Sequence, residues 1–505
     1  MSKSIFAAEE PRHGRDQGRS FKYIVYFFGF SMCLCVSAVS IIAQEAPPTP
    51  GPPKTVSVPA VKETKLSNGL TVAVVERHNV PLVTVNLLVR SGAANEDASK
   101  AGLADLTASM LTKGTKTRSA TDIAEQVEFL GGSINSGAGW NSSSVGMTVT
   151  SDKLDKAMEI LADVVLNPSF SQDELDLLKS QTLDELKFNL KQPGFLASYV
   201  ASKYSFGEHP AGGTPASIGA TTRNDIVAFH ATYFRPERSV LIFTGDVTMA
   251  QAAALAKNLF GLWRGPSSEK ASAQIGTNAE RVKGSETPGR ILVVDLPNSG
   301  QASVSYQRIV NGIGRTSPSF YPSSVLNSVL GGGYSSRLNQ EIRIKRGLSY
   351  GAGSGFGWRS SRANFATRTQ TKNESAAEVA ELVLAEVKKL GDASVAEAEL
   401  VPRKSVLTGN FDRNLETTGG LANAVADLYS FGIPTSELNA YVNNVNSVSD
   451  TQIRSFAGEN LLGGDIIIVG DYSIFKDDLA KRFPNTKIDV LKADELDLAK
   501  DGLRK

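Results

Sequence analysis

The tetrapeptide YSFG at residues 204–207 recurs at residues 429–432, and this repetition sets the organisation of the chain. A second repeat is an apolar run that precedes a Gly-Asp pair, at 245–246 and again at 470–471. Both repeats are separated by 225 residues, from 204 to 429 and from 245 to 470. The shared offset predicts two copies of a unit of roughly 200 residues or slightly more. Chance similarity between short motifs is the alternative.

The two copies are separated by a stretch whose composition is typical of a linker. Residues 266–288 are rich in Ser, Lys, Glu and Gly. We therefore predict a first domain at residues 61–265, a second domain at residues 289–490 and a tail at residues 491–505. Each predicted domain is close to the ordinary size of a folding unit, about 100–200 residues.

Hydrophobic periodicity predicts an α+β fold in both domains. The pair Asn68-Gly69 between alternating residues indicates a tight hairpin turn. The expected strands are 82–89, 144–150, 291–295 and 303–309. The expected helices are 101–111, 122–129, 154–166, 172–190, 321–330 and 376–390. Strands that neighbour each other in sequence and helices in long pairs favour, in each domain, an antiparallel-rich sheet with helices packed on one face.

Residues 1–43 have the layout of a secretory signal. A basic flank at residues 1–22 is followed by residues 23–43, which carry no charge. This segment would be removed as a signal peptide or, since about 20 apolar residues span a bilayer, retained as a signal anchor. We expect the rest of the chain to be exported, either periplasmic or anchored in the inner membrane and facing the periplasm. A buried core helix is the alternative.

The composition excludes several classes of function for the exported part. Residues 44–60 are rich in proline and predict a stiff linker. Both cysteines, Cys33 and Cys35, lie in the leader, so disulfides and Cys-ligated zinc are excluded beyond it. The formal net charge of +1 gives no basic excess for nucleic-acid binding. Of the four histidines, we interpret His209 and His230 as structural.

Three stretches of the first domain resemble a known family. They are LSNGL at 66–70, RSGA at 90–93 and GLADLTASMLTKGT at 102–115. In these stretches the chain resembles the pitrilysin/insulinase family of metallopeptidases, and the resemblance extends from about residue 61 to about residue 490. It implies that the two domains form a clam-like half-chamber.

The resemblance also indicates what the chain lacks. Active members of the family carry H-x-x-E-H in the helix after residue 102, where two His bind Zn²⁺ and the Glu acts as base. The matching positions here are Asp105, Ala108 and Ser109, so both ligands and the base are missing. Glu185 stands where the family has its third ligand. It is either a relic ligand or a solvated helix carboxylate, and we favour the latter because no partner ligand remains. We expect no cofactor on this chain.

The second domain retains a pair of residues from the family's other site motif. Arg343 and Tyr350 have the seven-residue spacing of an Arg and a Tyr that, in catalytic relatives, reach the scissile peptide. A guanidinium can donate to substrate carbonyls, and a phenol can donate to the developing oxyanion. We expect Arg343 to end a helix that stops at Gly347, and Tyr350 to begin a strand. The alternative is a solvated helix end followed by a half-buried strand aromatic.

The glycine run Gly331-Gly332-Gly333 resembles a flexible substrate-gripping loop of the family's second unit. A phosphate-binding loop is excluded because no Gly-Lys-Ser/Thr follows the run. A plain loop between two elements is the alternative.

Three functions are compatible with the resemblance. In the first, the chain is the non-zinc subunit of a heterodimeric metallopeptidase, and a homologous partner supplies zinc for hydrolysis of a peptide or unfolded protein. In the second, it is a scaffold or peptide-binding protein without catalysis. In the third, which we do not favour, it hydrolyses peptides alone through a displaced zinc site.

Overall fold

The computed structural model describes residues 58–265, 289–500 and 502–505. The predicted leader, most of the proline-rich linker and the predicted linker at 266–288 lie outside the described residues, so these assignments stay predictions. Residues 58–265 are called the first half below, and residues 289–505 the second half. No helix in the described part of the chain is both long and apolar enough to cross a bilayer.

The first half contains six strands and eight helices of more than one turn among its described residues. In chain order they are β1 (Lys62–Lys65), β2 (Thr71–Glu76), β3 (Leu82–Val89), α1 (Leu103–Met110), α2 (Ala120–Phe129), β4 (Ser133–Ala138), β5 (Ser143–Thr150), α3 (Leu154–Leu166), α4 (Gln172–Asn189), α5 (Pro193–Tyr204), α6 (Pro215–Ala220), α7 (Arg223–Tyr233), β6 (Ser239–Gly245) and α8 (Met249–Phe260).

The second half also contains six strands among its described residues. In chain order its elements are β7 (Ile291–Asp295), β8 (Ala302–Asn311), α9 (Phe320–Leu330), a π-helix (Asn339–Ile344), β9 (Ala352–Trp358), β10 (Arg362–Thr371), α10 (Ala376–Asp392), α11 (Glu397–Glu416), α12 (Thr418–Phe431), α13 (Glu437–Ser447), α14 (Asp450–Asn460), β11 (Asp465–Gly470), α15 (Tyr472–Arg482) and β12 (Ile488–Lys492).

Each half builds one six-stranded sheet, and both sheets are mostly antiparallel, as the sequence predicts. The first sheet has the order β1-β2-β6-β3-β5-β4, and its parallel pair is β2 with β6. The second has the order β12-β7-β11-β8-β10-β9, and β7 pairs in parallel with both β12 and β11. The edge strands are therefore β1 and β4 in the first sheet and β12 and β9 in the second.

Both sheets carry apolar residues on two faces, so helices cover two faces and not one. In β3, Leu87 and Leu88 point to opposite faces and both are buried. One face of the first sheet packs on helices of its own half, whereas α12 of the second half covers the other face. Reciprocally, α5 of the first half packs on β8 and β11 of the second sheet.

The repeated tetrapeptide marks these two exchanged helices. Tyr204 is the last residue of α5, and Tyr429 lies near the end of α12. Each helix lies on the sheet of the opposite half, and the tetrapeptide begins at the last residue of α5 and covers the last three residues of α12. The duplication explains the equal offset, and the exchange explains why both copies join into one body.

The segment after residue 490 is also part of this body. Strand β12 runs to Lys492 and pairs with β7. Beyond it, Leu498 and Leu503 are buried in the hydrophobic cluster that includes α5. The predicted tail thus contributes apolar side chains to the core.

Candidate functional site

The helix that matches the family's metal helix begins at a tightly constrained turn. Gly102 precedes α1 with φ 89°, and a Cβ there would lie 2.9 Å from the Cα of Gly213. The amides of Gly102 and Ala104 donate to the buried carboxylate of Glu96, at 2.8 and 2.7 Å. Nε2 of His209 lies 3.0 Å from the same carboxylate. These contacts satisfy the amides at the helix start, and a carboxylate there is favourable to the helix dipole.

The four positions of the degenerate metal motif do not form a ligand set. Oδ1 of Asp105 accepts a hydrogen bond from the amide of Ala138 at 3.2 Å. Burial raises the pKa of Asp105, and the charge of Glu185 raises it further. Ala108 is fully buried and Ser109 is half-buried. In the described part of the chain no group of three or more His, Cys, Asp or Glu is arranged to hold a metal ion.

Glu185 itself is exposed on α4. An exposed carboxylate is compatible with both interpretations of the sequence, the relic ligand and the solvated carboxylate. Two carboxylates without an imidazole are a poor site for zinc, which prefers nitrogen and sulfur ligands in tetrahedral geometry. The residues present therefore do not fit the metal that the resemblance implies for active members.

Replacing Asp105 with asparagine is expected to stabilise the chain at pH 7 by about 0.5–1 kcal/mol. The folded pKa of Asp105 lies above its unfolded value. At pH values between the two, the folded state therefore binds more protons than the unfolded state. Stability is therefore lost as the pH rises through the folded pKa, and the neutral variant lacks this loss. The amide oxygen of Asn can still accept from Ala138. Thermal unfolding at pH 4 and pH 7 measures the effect.

The matched control is Asp184→Asn, because Asp184 is exposed on the same helix as Glu185. That variant should leave the unfolding midpoint unchanged at both pH values. A lower midpoint for Asp105→Asn at pH 7 would show that the charge of Asp105 stabilises the fold.

His230 is enclosed in the first half, as expected for a structural histidine. Its Nε2 lies 3.0 Å from the carbonyl oxygen of Val165, and its ring stacks on Phe234. Burial lowers the pKa of His230 to about 4, so the imidazole is neutral at pH 7.

A large open cavity of about 1010 Å³ lies between the two halves. Residues of α5 and the following loop form one wall, and the second half contributes the glycine run, the π-helix, β9 and β10. Its charged lining residues are Glu208, Arg343, Arg359 and Arg368, beside His209. A cavity of this size at a junction between two folded halves is the ordinary setting of a ligand site.

Glu208 joins the halves at the cavity wall. It lies in the first half and is 5% exposed. Arg359 donates two hydrogen bonds to its carboxylate, at 3.0 and 2.7 Å, and Arg362 donates one at 2.6 Å. Burial alone would raise the pKa of Glu208, but the two guanidinium groups outweigh this and lower it. The carboxylate is therefore ionised and neutralised by the second half.

Arg343 lies on the π-helix and lines the large cavity. The sequence predicts that Arg343 ends a helix stopping at Gly347. The helix ends at Ile344, and Gly347 follows with φ 65° and donates its amide to the carbonyl of Arg343. The guanidinium of Arg343 lies 4.8 Å from the centre of the Tyr334 ring. Within the described residues it makes no hydrogen bond or ion pair, so its donors are available.

Tyr350 lies in the loop before β9 and is 89% exposed. Our expectation that Tyr350 begins the strand is wrong, since β9 starts at Ala352, and the alternative of a half-buried aromatic is wrong as well. Tyr350 lines a second cavity of about 470 Å³, which shares Ser198, Gly351 and Arg368 with the large one. Arg343 and Tyr350 thus belong to adjoining cavities.

The glycine run packs closely on the edge of the second sheet. The carbonyl of Gly331 accepts from the amide of Ser354 at 3.2 Å, and a Cβ on Gly331 would lie 2.4 Å from that nitrogen. A Cβ on Gly332 would lie 2.7 Å from the Cα of Ser328. Only glycine permits this approach. All three glycines line the large cavity, so the run is part of its wall.

Comparison with known proteins places this architecture in a family. The family model "Insulinase (Peptidase family M16)" matches residues 71–203, and the model "Peptidase M16 inactive domain" matches residues 220–407. An uncharacterized zinc protease of Rickettsia bellii is 30% identical over 296 residues, which are 57% of this chain and 68% of that protein. The chain belongs to the M16 family. Within this family it is a member without the H-x-x-E-H motif.

Other relatives include both proteases and a non-peptidase. An uncharacterized zinc protease of Mycobacterium leprae is 33% identical, and the match spans 57% of this chain and only 64% of that protein. The non-peptidase homolog YmxG of Helicobacter pylori is 25% identical over 75% of this chain and 87% of its own length. The chain therefore resembles relatives described as proteases and one described as not a peptidase.

Two solved structures match nearly the whole described body. The M16 inactive domain from Pseudomonas fluorescens has a TM-score of 0.72 and 26% identity, and the match covers 81% of this chain and 98% of that one. A protease from Helicobacter pylori has a TM-score of 0.74 at 21% identity, with 82% and 100% covered. The second likeness concerns the fold alone.

Sequence reasoning missed two functional candidates of this M16 member, Glu208 and Arg368. Glu208 is one of many acidic residues, and nothing local marks it as buried. Arg368 could have been found through the alternating glycines of residues 351–357, because glycine within a strand often marks an open or closely approached position. In the structure these glycines lie in strand β9 or directly before it.

Proposed function

We propose that this chain is the non-zinc subunit of a heterodimeric M16 peptidase. The observation that carries the proposal is the availability of Arg343 and Tyr350. They line adjoining open cavities, and neither side chain hydrogen-bonds to another described residue. A scaffold without catalytic function would have no need of an exposed phenol and an unpaired guanidinium at the same junction.

The two residues would act on a substrate carbonyl. The planar donors of Arg343 suit the carbonyl oxygens of an extended peptide. The hydroxyl of Tyr350 would donate to the oxyanion that develops when the peptide carbon becomes tetrahedral. Zinc, base and attacking water would come from a homologous partner chain with an intact H-x-x-E-H helix.

The substrate would be a peptide or an unfolded protein, because only an extended backbone can pair with a sheet edge. Strand β4 is the edge of the first sheet next to α1, and β9 is the edge at the large cavity. We propose that the reaction takes place outside the cytoplasm, on the basis of the predicted leader. The leader would either be cleaved or anchor the subunit in the inner membrane.

Reconstitution tests the proposal. The tagged chain is purified from its own host, and co-purifying proteins of similar size are identified by mass spectrometry. The expected companion carries H-x-x-E-H, and the mixed subunits should cleave an oligopeptide that neither cleaves alone. A chelator should abolish the activity. If the purified chain cleaves peptides by itself in a chelator-sensitive manner, the proposal is wrong.

A peptide-binding scaffold is the second candidate function. It is favoured by the relative described as a non-peptidase homolog. In that case the chain would form a complex and bind peptide, yet the complex would show no hydrolysis that depends on Arg343 or Tyr350. The same reconstitution therefore separates the two candidates.

A further inference from the structure

Arg368 on β10 lines both cavities, and the proposed chemistry does not use it. It is exposed, and within the described residues its guanidinium makes no hydrogen bond or ion pair. It lies between the cavity of Arg343 and the cavity of Tyr350. An unpaired guanidinium at this junction is available to a ligand that spans both cavities.

The register of the second sheet explains why Arg368 reaches the cavity. In the antiparallel pair of β9 and β10, Asn364, Ala366 and Arg368 lie opposite Gly357, Gly355 and Gly353. Residues directly opposite each other project from the same face of a sheet. Since the three glycines have no side chain, nothing on β9 covers these β10 positions. The result is a trough in the sheet surface, which we call the glycine trough (Gly353, Gly355, Gly357).

The other face of the same two strands is apolar and packed. Phe356 lies opposite Phe365, and their ring centres are 4.9 Å apart in the core of the second half. The alternation of glycine and larger residues in β9 therefore separates a core face from an open face. A Cβ on Gly355 would meet no atom within 4 Å, so the trough at this position is open space.

The charges around the trough are unbalanced. Three arginines line the large cavity, Arg343, Arg359 and Arg368, and Glu208 is the one carboxylate among its described lining residues. Glu208 is already neutralised by Arg359 and by Arg362 at the start of β10. The guanidinium groups of Arg343 and Arg368 are thus left without a carboxylate. In the adjoining cavity Arg368 is the one charged residue among those that line it.

We propose that the glycine trough is a subsite for a peptide carboxylate, bound by Arg368 with support from Arg343. The inference rests on the proposed function, because it names the class of peptide that the subunit selects. A planar guanidinium binds a carboxylate through two parallel hydrogen bonds, which a neutral amide cannot match. The carboxylate comes either from an Asp or Glu side chain or from the C-terminus of the peptide.

Binding of labelled peptides to the full chain tests the subsite. Three fluorescent decapeptides are compared by anisotropy: one with a central Glu and an amidated C-terminus, the same peptide with Gln, and the Gln peptide with a free C-terminus. We expect a carboxylate to lower Kd about tenfold or more relative to the amidated Gln peptide. The preference should weaken as salt is raised. The peptide whose Kd is lowered, the one with Glu or the one with a free C-terminus, identifies the source of the carboxylate.

Two variants assign the preference to the trough. Arg368→Gln should abolish the preference and leave the Kd of the amidated Gln peptide unchanged. Arg413→Gln is the matched control, since Arg413 is exposed on α11 and lines neither cavity. Gly355→Leu should weaken the binding of all three peptides alike. The leucine side chain would fill the trough, and position 355 does not require a left-handed backbone.

The outcomes separate this inference from the proposed function. Peptides that bind equally well with and without a carboxylate would overturn the subsite and leave the proposed function standing. A preference that survives Arg368→Gln would overturn it as well. If none of the three peptides bound, both the subsite and the peptide-holding role of the chain would be contradicted.

Discussion

Replacing Tyr350 with phenylalanine is expected to lower kcat of the reconstituted pair by about 10²–10³-fold, while KM changes little. The ring remains, so the loop before β9 keeps its shape. What is lost is the hydroxyl that would donate to the oxyanion. Because that hydrogen bond forms only as the peptide carbon becomes tetrahedral, its removal affects the transition state and not the bound substrate. Steady-state kinetics with a quenched fluorescent peptide measure the change.

The structure makes this variant easy to interpret. Tyr350 is 89% exposed, so removal of its hydroxyl creates no buried unsatisfied group. Tyr472→Phe is the matched control, since Tyr472 begins α15 and lines neither cavity. An unchanged kcat for Tyr350→Phe, in a complex that still assembles, would favour the scaffold over the split peptidase.

The parts of the fold that could be predicted are those fixed by local chemistry. The run LVTVNLLV gives β3 at Leu82–Val89, because a continuous β-branched and apolar run suits a strand buried on both faces. Asn68-Gly69 gives the turn before β2, with Gly69 at φ 94°. The two YSFG repeats predict a duplication, and their positions at the ends of α5 and α12 agree with it.

The rest depends on contacts between residues far apart in sequence. Nothing in the sequence of α12 indicates that it covers the first sheet, because an apolar helix face does not identify the surface on which it packs. The start of β9 at Ala352 depends on the pairing of Ala352 with Thr369. In the candidate site, the residue types of Arg343 and Tyr350 were predictable from the resemblance. The surroundings that leave Arg343 and Tyr350 unpaired were not.

Replacing Glu208 with alanine is expected to destabilise the chain by about 3–5 kcal/mol. The carboxylate is 5% exposed and accepts hydrogen bonds from Arg359, Arg362 and, at 3.0 Å, from Asn364. Its removal leaves two guanidinium groups facing each other at the junction of the halves without a counter-charge. By contrast, Glu237→Ala removes a partner of Arg235 that is 44% exposed and should cost about 1 kcal/mol or less.

The pH dependence of stability distinguishes lost charge from lost packing. The folded pKa of Glu208 lies below its ordinary value of 4.5, so its contribution is fully present above that pH. It is lost as the pH falls from 4.5 through the folded pKa, because the unfolded state then binds the proton first. Chemical denaturation between pH 3 and pH 7 should show this acid loss in the native chain and a flatter profile in Glu208→Gln.

A double-mutant cycle completes the argument for Glu208. If the cost arises from unpaired guanidinium groups, Arg359→Ala combined with Glu208→Ala should destabilise the chain by less than the sum of the two single variants. Additive costs would instead indicate that each side chain stabilises the junction through packing alone, for example through the contact of Arg359 with the Trp140 ring at 4.7 Å. Since these same residues line the cavity, a weakened junction should also raise the Kd of every peptide, whatever its charge.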